Sequence, residues 1–212
     1  MLLKILHAFR TKILTLLIFP LSLIACTHVD VISTPTLVNT ATPLKIELIA
    51  MKRDTEDFTF SIEQQKPLYQ GFYKMDQLTI QHQRFDGGQL TISRELMDRT
   101  DAVCVLLVDL PRKKIVFIEQ FRVGALRETN PWLIELVAGL IDKDEQPEQV
   151  ARREAMEEAG LEVGRMEFVT RYLPSPGGTN ECVHLYIGEV DSRKADGIHG
   201  LEDEGEDIRV LT

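Results

Sequence analysis

Residues 139–161, GLIDKDEQPEQVARREAMEEAGL, constrain the fold most strongly because they predict one short helix between two loops. Pro147 fits the first helical position, where its missing N–H costs nothing, and Gln146 would be the N-cap. Gly160 suits a left-handed C-cap. At ~100° per residue, three alanines form one row on this helix: Ala151, Ala155 and Ala159. Such small residues would let the helix approach a β-sheet closely.

Short strands before and after this helix indicate an α/β fold. Residues 51–98 are predicted to form a small antiparallel unit. Apolar and polar residues alternate in FTFSI and LYQGFYKMDQLTIQHQRF, a hairpin signal follows at Asp86, Gly87 and Gly88, and QLTISREL returns after it. The main domain, residues 99–212, contains further predicted strands in DAVCVLLVDL, KKIVFIEQF, PWLIELVAG, MEFVTRYL and CVHLYIGEV. One helix covers only one face of a sheet, so we expect a C-terminal helix to be missing by truncation.

Residues 1–50 are either a signal-like leader or the result of an over-long start. Basic MLLKILHAFRTK, apolar ILTLLIFPLSLIA and small residues before Cys26 resemble a bacterial lipoprotein signal. The apolar run is short for a membrane span. Met51 begins MKRDTEDF, a plausible start, and we favour this reading, which predicts a cytoplasmic protein. The alternative is a lipoprotein anchored to a membrane through Cys26.

The charge and the cysteines exclude little by themselves. A net charge of −9 without a basic stripe argues against a nucleic-acid partner. Three cysteines without close spacing form neither a zinc knuckle nor a disulfide framework. Cys104 and Cys182 lie in apolar runs and are interpreted as small core residues. The histidines, His184 among them, show no metal-ligand spacing and are interpreted as ordinary.

One face of the predicted helix is strongly acidic. Glu154, Glu157 and Glu158 fall within an arc of about 100°, and Arg153 borders the arc four residues before Glu157. Like charges so placed repel by some tenths of a kcal/mol per pair, and a divalent cation would reverse that sign. A solvated, acid-rich helix face is the alternative reading.

The full spacing resembles the signature of the Nudix hydrolases: Gly139, five residues, Glu145, seven residues, then REAMEEAGL, over 23 residues. The resemblance implies an α/β/α sandwich that binds Mg²⁺ or Mn²⁺ and cleaves a pyrophosphate joined to another moiety. It also implies that Gly139 gives the loop its turn. The roles that it assigns are metal binding by Glu154, Glu158 and the Ala138 carbonyl, and catalytic roles for Glu157 and for Arg153, which orients the acids.

Further segments resemble the bacterial ADP-ribose pyrophosphatase branch from about residue 58 to 210: GFYKMD, SRELMDR, IEQFR, PWLIELVAGLID, SPGGTNE and GIHGLEDEGEDIRV. This resemblance implies hydrolysis of ADP-ribose to AMP and ribose 5-phosphate. In the acidic stretch LEDEGEDI it makes Glu204 the general base and Glu206 a further metal ligand, although such a stretch alone reads as a solvated loop. The implied substrate-binding residues are Phe72, Tyr73, Arg94, Glu95, Arg122, Leu140, Ser175, Pro176, Gly177 and Glu181.

The same resemblance implies a homodimer that exchanges its N-terminal strands, with Phe72 and Tyr73 stacking on the adenine. Because strand residues alternate, only one of these two aromatics would point inward. Two other functions stay open at this point. The substrate would be another nucleoside diphosphate sugar, such as GDP-mannose, or the chain would be a non-catalytic module that binds ADP-ribose. Intact Glu154, Glu157, Glu158 and Glu204 argue against the non-catalytic module.

Overall fold

Two β-sheets and one α-helix make up the part of the chain that the computed structural model describes, residues 58–142 and 144–212. Both readings of residues 1–50 lie outside these described residues. The strands are β1 Phe60–Gln70, β2 Lys74–Gln83, β3 Gln89–Asp98, β4 Ala102–Asp109, β5 Lys114–Phe121, β6 Trp132–Glu135, β7 Val137–Leu140, β8 Met166–Tyr172, β9 Val183–Glu189, β10 Ile198–His199 and β11 Ile208–Leu211. The helix, α1, is Pro147–Ala159, and its length and hydropathy, like those of the shorter helical turns described, do not suit a membrane crossing.

The N-terminal sheet has the order β1-β2-β3 and is antiparallel throughout. Gly87 and Gly88 adopt φ values of 91° and 77° between β2 and β3, so the predicted hairpin is confirmed. The strand position predicted for Phe72 and Tyr73 is wrong, because residues 71–73 form a turn between β1 and β2. Phe72 and Tyr73 therefore lie on a turn, and strand alternation does not set their directions.

The larger sheet has the order β10-β11-β5-β4-β9-β8, with β6 paired to β5 and β7 paired to β4. β4 runs parallel to β9 and antiparallel to β5 and β7. This mixed sheet with one helix confirms the predicted α/β class. Strand β7 pairs with the first half of β4, so that Gly139 lies opposite Val103 and Ala138 lies opposite Cys104. The loop-helix segment thus begins inside the sheet.

Helix α1 packs its alanine row against the sheet, and Ala151, Ala155 and Ala159 are fully buried together with Val103 and Val105. This packing brings the helix backbone close to the sheet, as the small residues predict.

Both predicted ends of α1 are confirmed. The Gln146 N–H donates to Gln149 Oε1 at 2.9 Å, which satisfies one of the free donors of the first turn. Gly160 ends the helix with a φ of 64°.

The stretch between β8 and β9 connects the two sheets. The Met97 N–H donates to the Gly178 carbonyl at 2.9 Å, and the Arg99 N–H donates to Asn180 Oδ1 at 2.8 Å. The Arg99 guanidinium lies 3.0 Å from Glu181 Oε1 and 5.1 Å from the centre of the Tyr73 ring. The turn that carries Tyr73 is thereby tied to the residues that precede β9.

Asp109 holds together the opposite end of β4, and we expect Asp109→Asn to lower the melting temperature by roughly 5 °C. Its carboxylate accepts hydrogen bonds from Ser192 Oγ at 2.7 Å and from the Ser192 and Arg112 N–H groups. The Ser192 hydroxyl is the largest cause that holds the pKa of Asp109 well below its usual range. A lowered pKa stabilises the fold above the pKa of the unfolded chain, and that stability is lost as pH falls through the folded pKa.

Thermal melts from pH 7 to pH 3 measure this effect. The difference between the wild type and Asp109→Asn should shrink below about pH 4. Asp86→Asn is the control, because Asp86 forms an exposed pair with Arg84 that should contribute little. A difference that grows in acid would contradict the role of the Asp109 carboxylate.

Candidate functional site

Arg153 ties three acids of the loop-helix segment to one guanidinium. Its Nη1 donates to Glu154 Oε1 and Glu157 Oε2, both at 2.8 Å, and its Nε donates to Glu145 Oε2 at 3.1 Å. Burial opposes the charge of Arg153, but Glu154, Glu157 and Glu145 together raise its pKa further above the ordinary range. Arg153 therefore stays protonated and fixes the directions of these acids.

Glu158 is a buried carboxyl with one hydrogen-bond donor. It is 2% exposed, and its Oε2 accepts the Ala138 N–H at 2.9 Å. Burial raises the pKa of Glu158 to about 8, and the nearby charges of Glu154 and Glu206 raise it, while the Ala138 N–H and Arg122 lower it. Its charged form therefore needs a positive partner in this position.

The Glu154 side chain occupies the space that Gly139 leaves open. A Cβ on residue 139 would lie 2.0 Å from both Cδ and Oε1 of Glu154. The prediction that Gly139 provides a turn is wrong, because Gly139 belongs to β7 and pairs with Val103. Burial raises the pKa of Glu154 to about 7, with Arg153 lowering it and the charge of Glu157 raising it.

The acidic stretch after β10 places Glu206 near these two carboxyls. The charge of Glu206 contributes to the raised pKa of both Glu154 and Glu158, and its Oε2 accepts the Leu201 N–H at 3.0 Å. The Gly200 N–H donates to the Glu157 carbonyl at 3.1 Å, which holds this stretch against α1. The stretch is thus anchored at Gly200, Leu201 and Glu206, whereas residues 202–205 between these points are exposed.

Glu204 lies at the end of the short helical turn Glu202–Glu204 and is exposed. Gly205 follows it with a φ of 71°, a left-handed conformation that favours glycine. The structure therefore places Glu204 two residues from Glu206, with its side chain open to solvent.

The donor set of this carboxylate cluster fits a hard divalent cation. Glu154, Glu158 and Glu206 offer oxygen ligands only, and the charge of Glu206 adds to the cost of charging both Glu154 and Glu158. Mg²⁺ and Mn²⁺ prefer such ligands, and binding one of them would relieve the repulsion.

Some predicted substrate residues lie beside this cluster. Arg122 is close enough to lower the pKa of Glu158, and its Nε donates to Glu135 Oε2 at 2.8 Å. Leu140 ends β7 and pairs with Ala102. Glu181, 9% exposed, is held by Arg99 and contributes with Glu158 to the raised pKa of Cys104.

The remaining predicted substrate residues lie on exposed surfaces. Phe72 is 82% exposed and meets the edge of the Tyr73 ring with centroids 4.9 Å apart. Arg94 and Glu95 lie on exposed positions of β3. Ser175, Pro176 and Gly177 form an exposed turn in which the Ser175 carbonyl accepts the Gly178 and Thr179 N–H groups.

Three charged residues of this region received no role from the sequence. Glu145 belongs to the quoted spacing, and its ion pair with Arg153 was visible only once the loop was folded back on α1. Arg99 joins Tyr73 to Glu181, and Glu135 pairs with Arg122. Alternation within β6 could have placed Glu135 on a face, but no sequence signal identifies its partner across the sheet.

Comparisons with known proteins show which family the chain resembles. The family model described as NUDIX domain matches residues 98–212. ADP-ribose pyrophosphatase of Escherichia coli (strain K12) is 48% identical over 146 residues, covering 68% of this chain and 69% of that protein. ADP-ribose pyrophosphatase of Haemophilus influenzae is 42% identical over 151 residues, covering 69% and 70%.

This chain is also similar to one further curated protein and, in fold, to a solved structure. GDP-mannose pyrophosphatase of Escherichia coli (strain SMS-3-5 / SECEC) is 40% identical over 149 residues, covering 69% of this chain and 76% of that protein. A solved structure described as an ADP compounds hydrolase shares the fold, with a TM-score of 0.53 at 17% identity over 72% of this chain and 76% of that one. On the matched domain and the identity over two thirds of its length, the chain belongs to the Nudix family.

Proposed function

We propose that this chain is a Mg²⁺-dependent pyrophosphatase that hydrolyses ADP-ribose to AMP and ribose 5-phosphate, with Mn²⁺ as an alternative ion. The observation that carries the proposal is the convergence of Glu154, Glu158 and Glu206 from two separate elements beside a fixed Arg153. Glu158 is buried with the Ala138 N–H as its hydrogen-bond donor, and charging a buried carboxyl beside two further acids is costly in a purely structural role. The choice of ADP-ribose as the substrate rests on the relatives named ADP-ribose pyrophosphatase.

Glu154, Glu158, Glu206 and the Ala138 carbonyl would hold the cation. When bound, the cation supplies Lewis acidity toward the phosphoryl oxygens of the substrate. Arg153 keeps Glu157 and Glu154 in fixed directions, so that Glu157 supports the ligands from the side of the helix. Glu204 accepts the proton of the attacking water, and its place on a solvent-exposed turn lets it approach once substrate has bound.

The proposed substrate contacts come from both sheets. Arg122 and Glu181 lie near the carboxylate cluster, where Arg122 would bind a phosphate oxygen. Phe72 and Tyr73 would stack on the adenine from the turn before β2, with Arg94 and Glu95 contacting substrate from β3. Leu140 and the turn of Ser175, Pro176 and Gly177 would border the ribose and phosphates.

A panel of nucleotide sugars tests the proposal. With Mg²⁺ present, we expect AMP and ribose 5-phosphate from ADP-ribose at a higher kcat/KM than hydrolysis of GDP-mannose. GDP-mannose is the second candidate substrate because one relative carries that name at 40% identity. A preference for GDP-mannose would replace the proposed substrate, and tight binding of ADP-ribose without turnover in excess Mg²⁺ would indicate a non-catalytic module.

We also propose that the N-terminal sheet mediates a homodimer by exchanging strands. All eleven residues of β1 are exposed, and Phe60, Ile62 and Tyr69 are 72%, 53% and 62% exposed. An apolar surface of this extent on an antiparallel sheet is typical of an interaction site.

Ile62→Asp should convert the dimer to a monomer, because it places a charge on the exposed apolar face. Light scattering after size-exclusion chromatography measures the mass, against 24.1 kDa for one chain. Ser61→Asp on the opposite face of β1 is the control and should leave the dimer intact. A wild-type protein that is monomeric at micromolar concentration would contradict the proposal.

A cytoplasmic location stays a prediction. Fractionation of the host cell tests it, and protein in the membrane fraction would favour a lipid on Cys26.

A further inference from the structure

Asp101, Cys182 and His184, none of which belongs to the carboxylate cluster, bring together three side chains of types that can bind metals. Their ligand atoms, a carboxylate oxygen, Sγ and an imidazole nitrogen, all lie within 4.8 Å of one another. Asp101 immediately precedes β4, and Cys182 immediately precedes β9. The two strands run parallel, with Val103 opposite His184, so strand alternation puts the three residues on one face of the sheet.

We propose that these three residues form a second metal site, specific for a transition metal of the Zn²⁺ class. A thiolate and an imidazole are ligands that Zn²⁺ prefers and Mg²⁺ does not. Bonds of about 2.0–2.3 Å in a tetrahedral site place ligand atoms roughly 3.5 Å apart. Side-chain rotations alone can therefore close the present spacing around an ion.

Neighbouring groups position the ligands for this role. The Cys182 N–H donates to Asp101 Oδ1 at 3.1 Å, which leaves Asp101 Oδ2 directed toward His184 Nε2, 4.0 Å away. Arg171 Nη2 lies 3.7 Å from the same Oδ2, but its side chain is 59% exposed and can turn into solvent. An ion would replace this weak pairing with a shorter contact.

Exposure decreases across the three residues and defines how an ion would enter. The side chain of Asp101 is 39% exposed, that of His184 is 20% exposed, and Cys182 is 2% exposed. An ion would thus arrive from the Asp101 side, reach the thiol last and keep one coordination position for water.

An ion at this site would also affect the segment that precedes β9. Cys182 follows Glu181, which Arg99 links to the N-terminal sheet. A metal ion held by Asp101, Cys182 and His184 would fix the starts of β4 and β9 to each other. It would therefore stabilise the fold without taking part in hydrolysis.

Cobalt is the probe because a Co²⁺–thiolate bond gives a charge-transfer absorption band that oxygen ligands do not give. We expect the full chain, freed of metal with a chelator and kept reduced, to show this band with one equivalent of Co²⁺. Cys182→Ser should remove it, and His184→Gln should weaken binding by about 10-fold or more. Co²⁺ bound at the carboxylate cluster contributes no such band.

Two matched cysteine variants distinguish this site from adventitious binding. Cys104→Ser should keep the band, because Cys104 lies on the other face of β4. Cys26→Ser should also keep it, because Cys26 is not one of the three proposed ligands. Zn²⁺ should also raise the melting temperatures of the wild type and of Cys104→Ser. The increase should be smaller for His184→Gln. No band in the wild type, or equal loss in Cys104→Ser, would overturn the proposal, and neither outcome bears on hydrolysis of ADP-ribose.

Discussion

Glu154→Gln is expected to lower kcat on ADP-ribose by on the order of 10³-fold, equivalent to about 4 kcal/mol, with the fold preserved. The amide keeps the shape of the side chain, and its oxygen can still accept from Arg153 Nη1. It removes the negative charge that would hold the cation beside Glu158 and Glu206. Mg²⁺ affinity, measured by calorimetry, should fall together with kcat.

Glu148→Gln is the matched control on the same helix. Glu148 lies in the first turn of α1, pairs with Arg152 and has a side chain that is 52% exposed. Its loss should leave kcat and Mg²⁺ affinity near the wild-type values. Equal rates for wild type and Glu154→Gln would refute the ligand role of Glu154, whichever nucleotide sugar is hydrolysed.

The ends of α1, its alanine row and its acidic face could all be predicted from sequence. These features depend on residues that are near one another in the chain, where backbone geometry alone fixes which side chains are adjacent. The pairing of Arg153 with Glu157, four residues apart, belongs to this class and is confirmed.

Contacts between distant segments could not be predicted in the same way. The role of Gly139 depends on the side chain of Glu154, which reaches it only after β7 has paired with β4. Likewise, Asp101 and Cys182 are brought together by the parallel pairing of β4 and β9, over a separation that carries no sequence signal. Both contacts depend on the register between strands that are far apart in the chain, where no tight turn fixes the register.

The turn that separates β1 from β2 shows a different limit. The alternation along residues 68–85 predicts strand positions for Phe72 and Tyr73, yet Gly71 and these two aromatics turn the chain. Hydrophobic periodicity predicts which face of a strand a residue occupies, but it does not predict where the chain reverses direction.

Gly139→Ala is expected to reduce kcat by about 10²-fold with little change in melting temperature. The added Cβ would lie 2.0 Å from Cδ and 2.4 Å from Cγ of Glu154. The backbone of β7 is held by its pairing with β4, so the Glu154 side chain is the part that must move. Displacing one ligand should weaken Mg²⁺ binding while the fold persists.

Gly164→Ala is the control, because a Cβ there meets only the Glu189 carbonyl oxygen, at an ordinary 3.5 Å. A double-mutant cycle then identifies the cause of the loss. If Gly139→Ala acts through Glu154, adding it to Glu154→Gln should lower kcat by much less than 10²-fold, since that ligand is already disabled. Additive losses would mean that Gly139 acts on another part of the site, and unchanged activity in the single variant would mean that Glu154 can bind the cation from a second position.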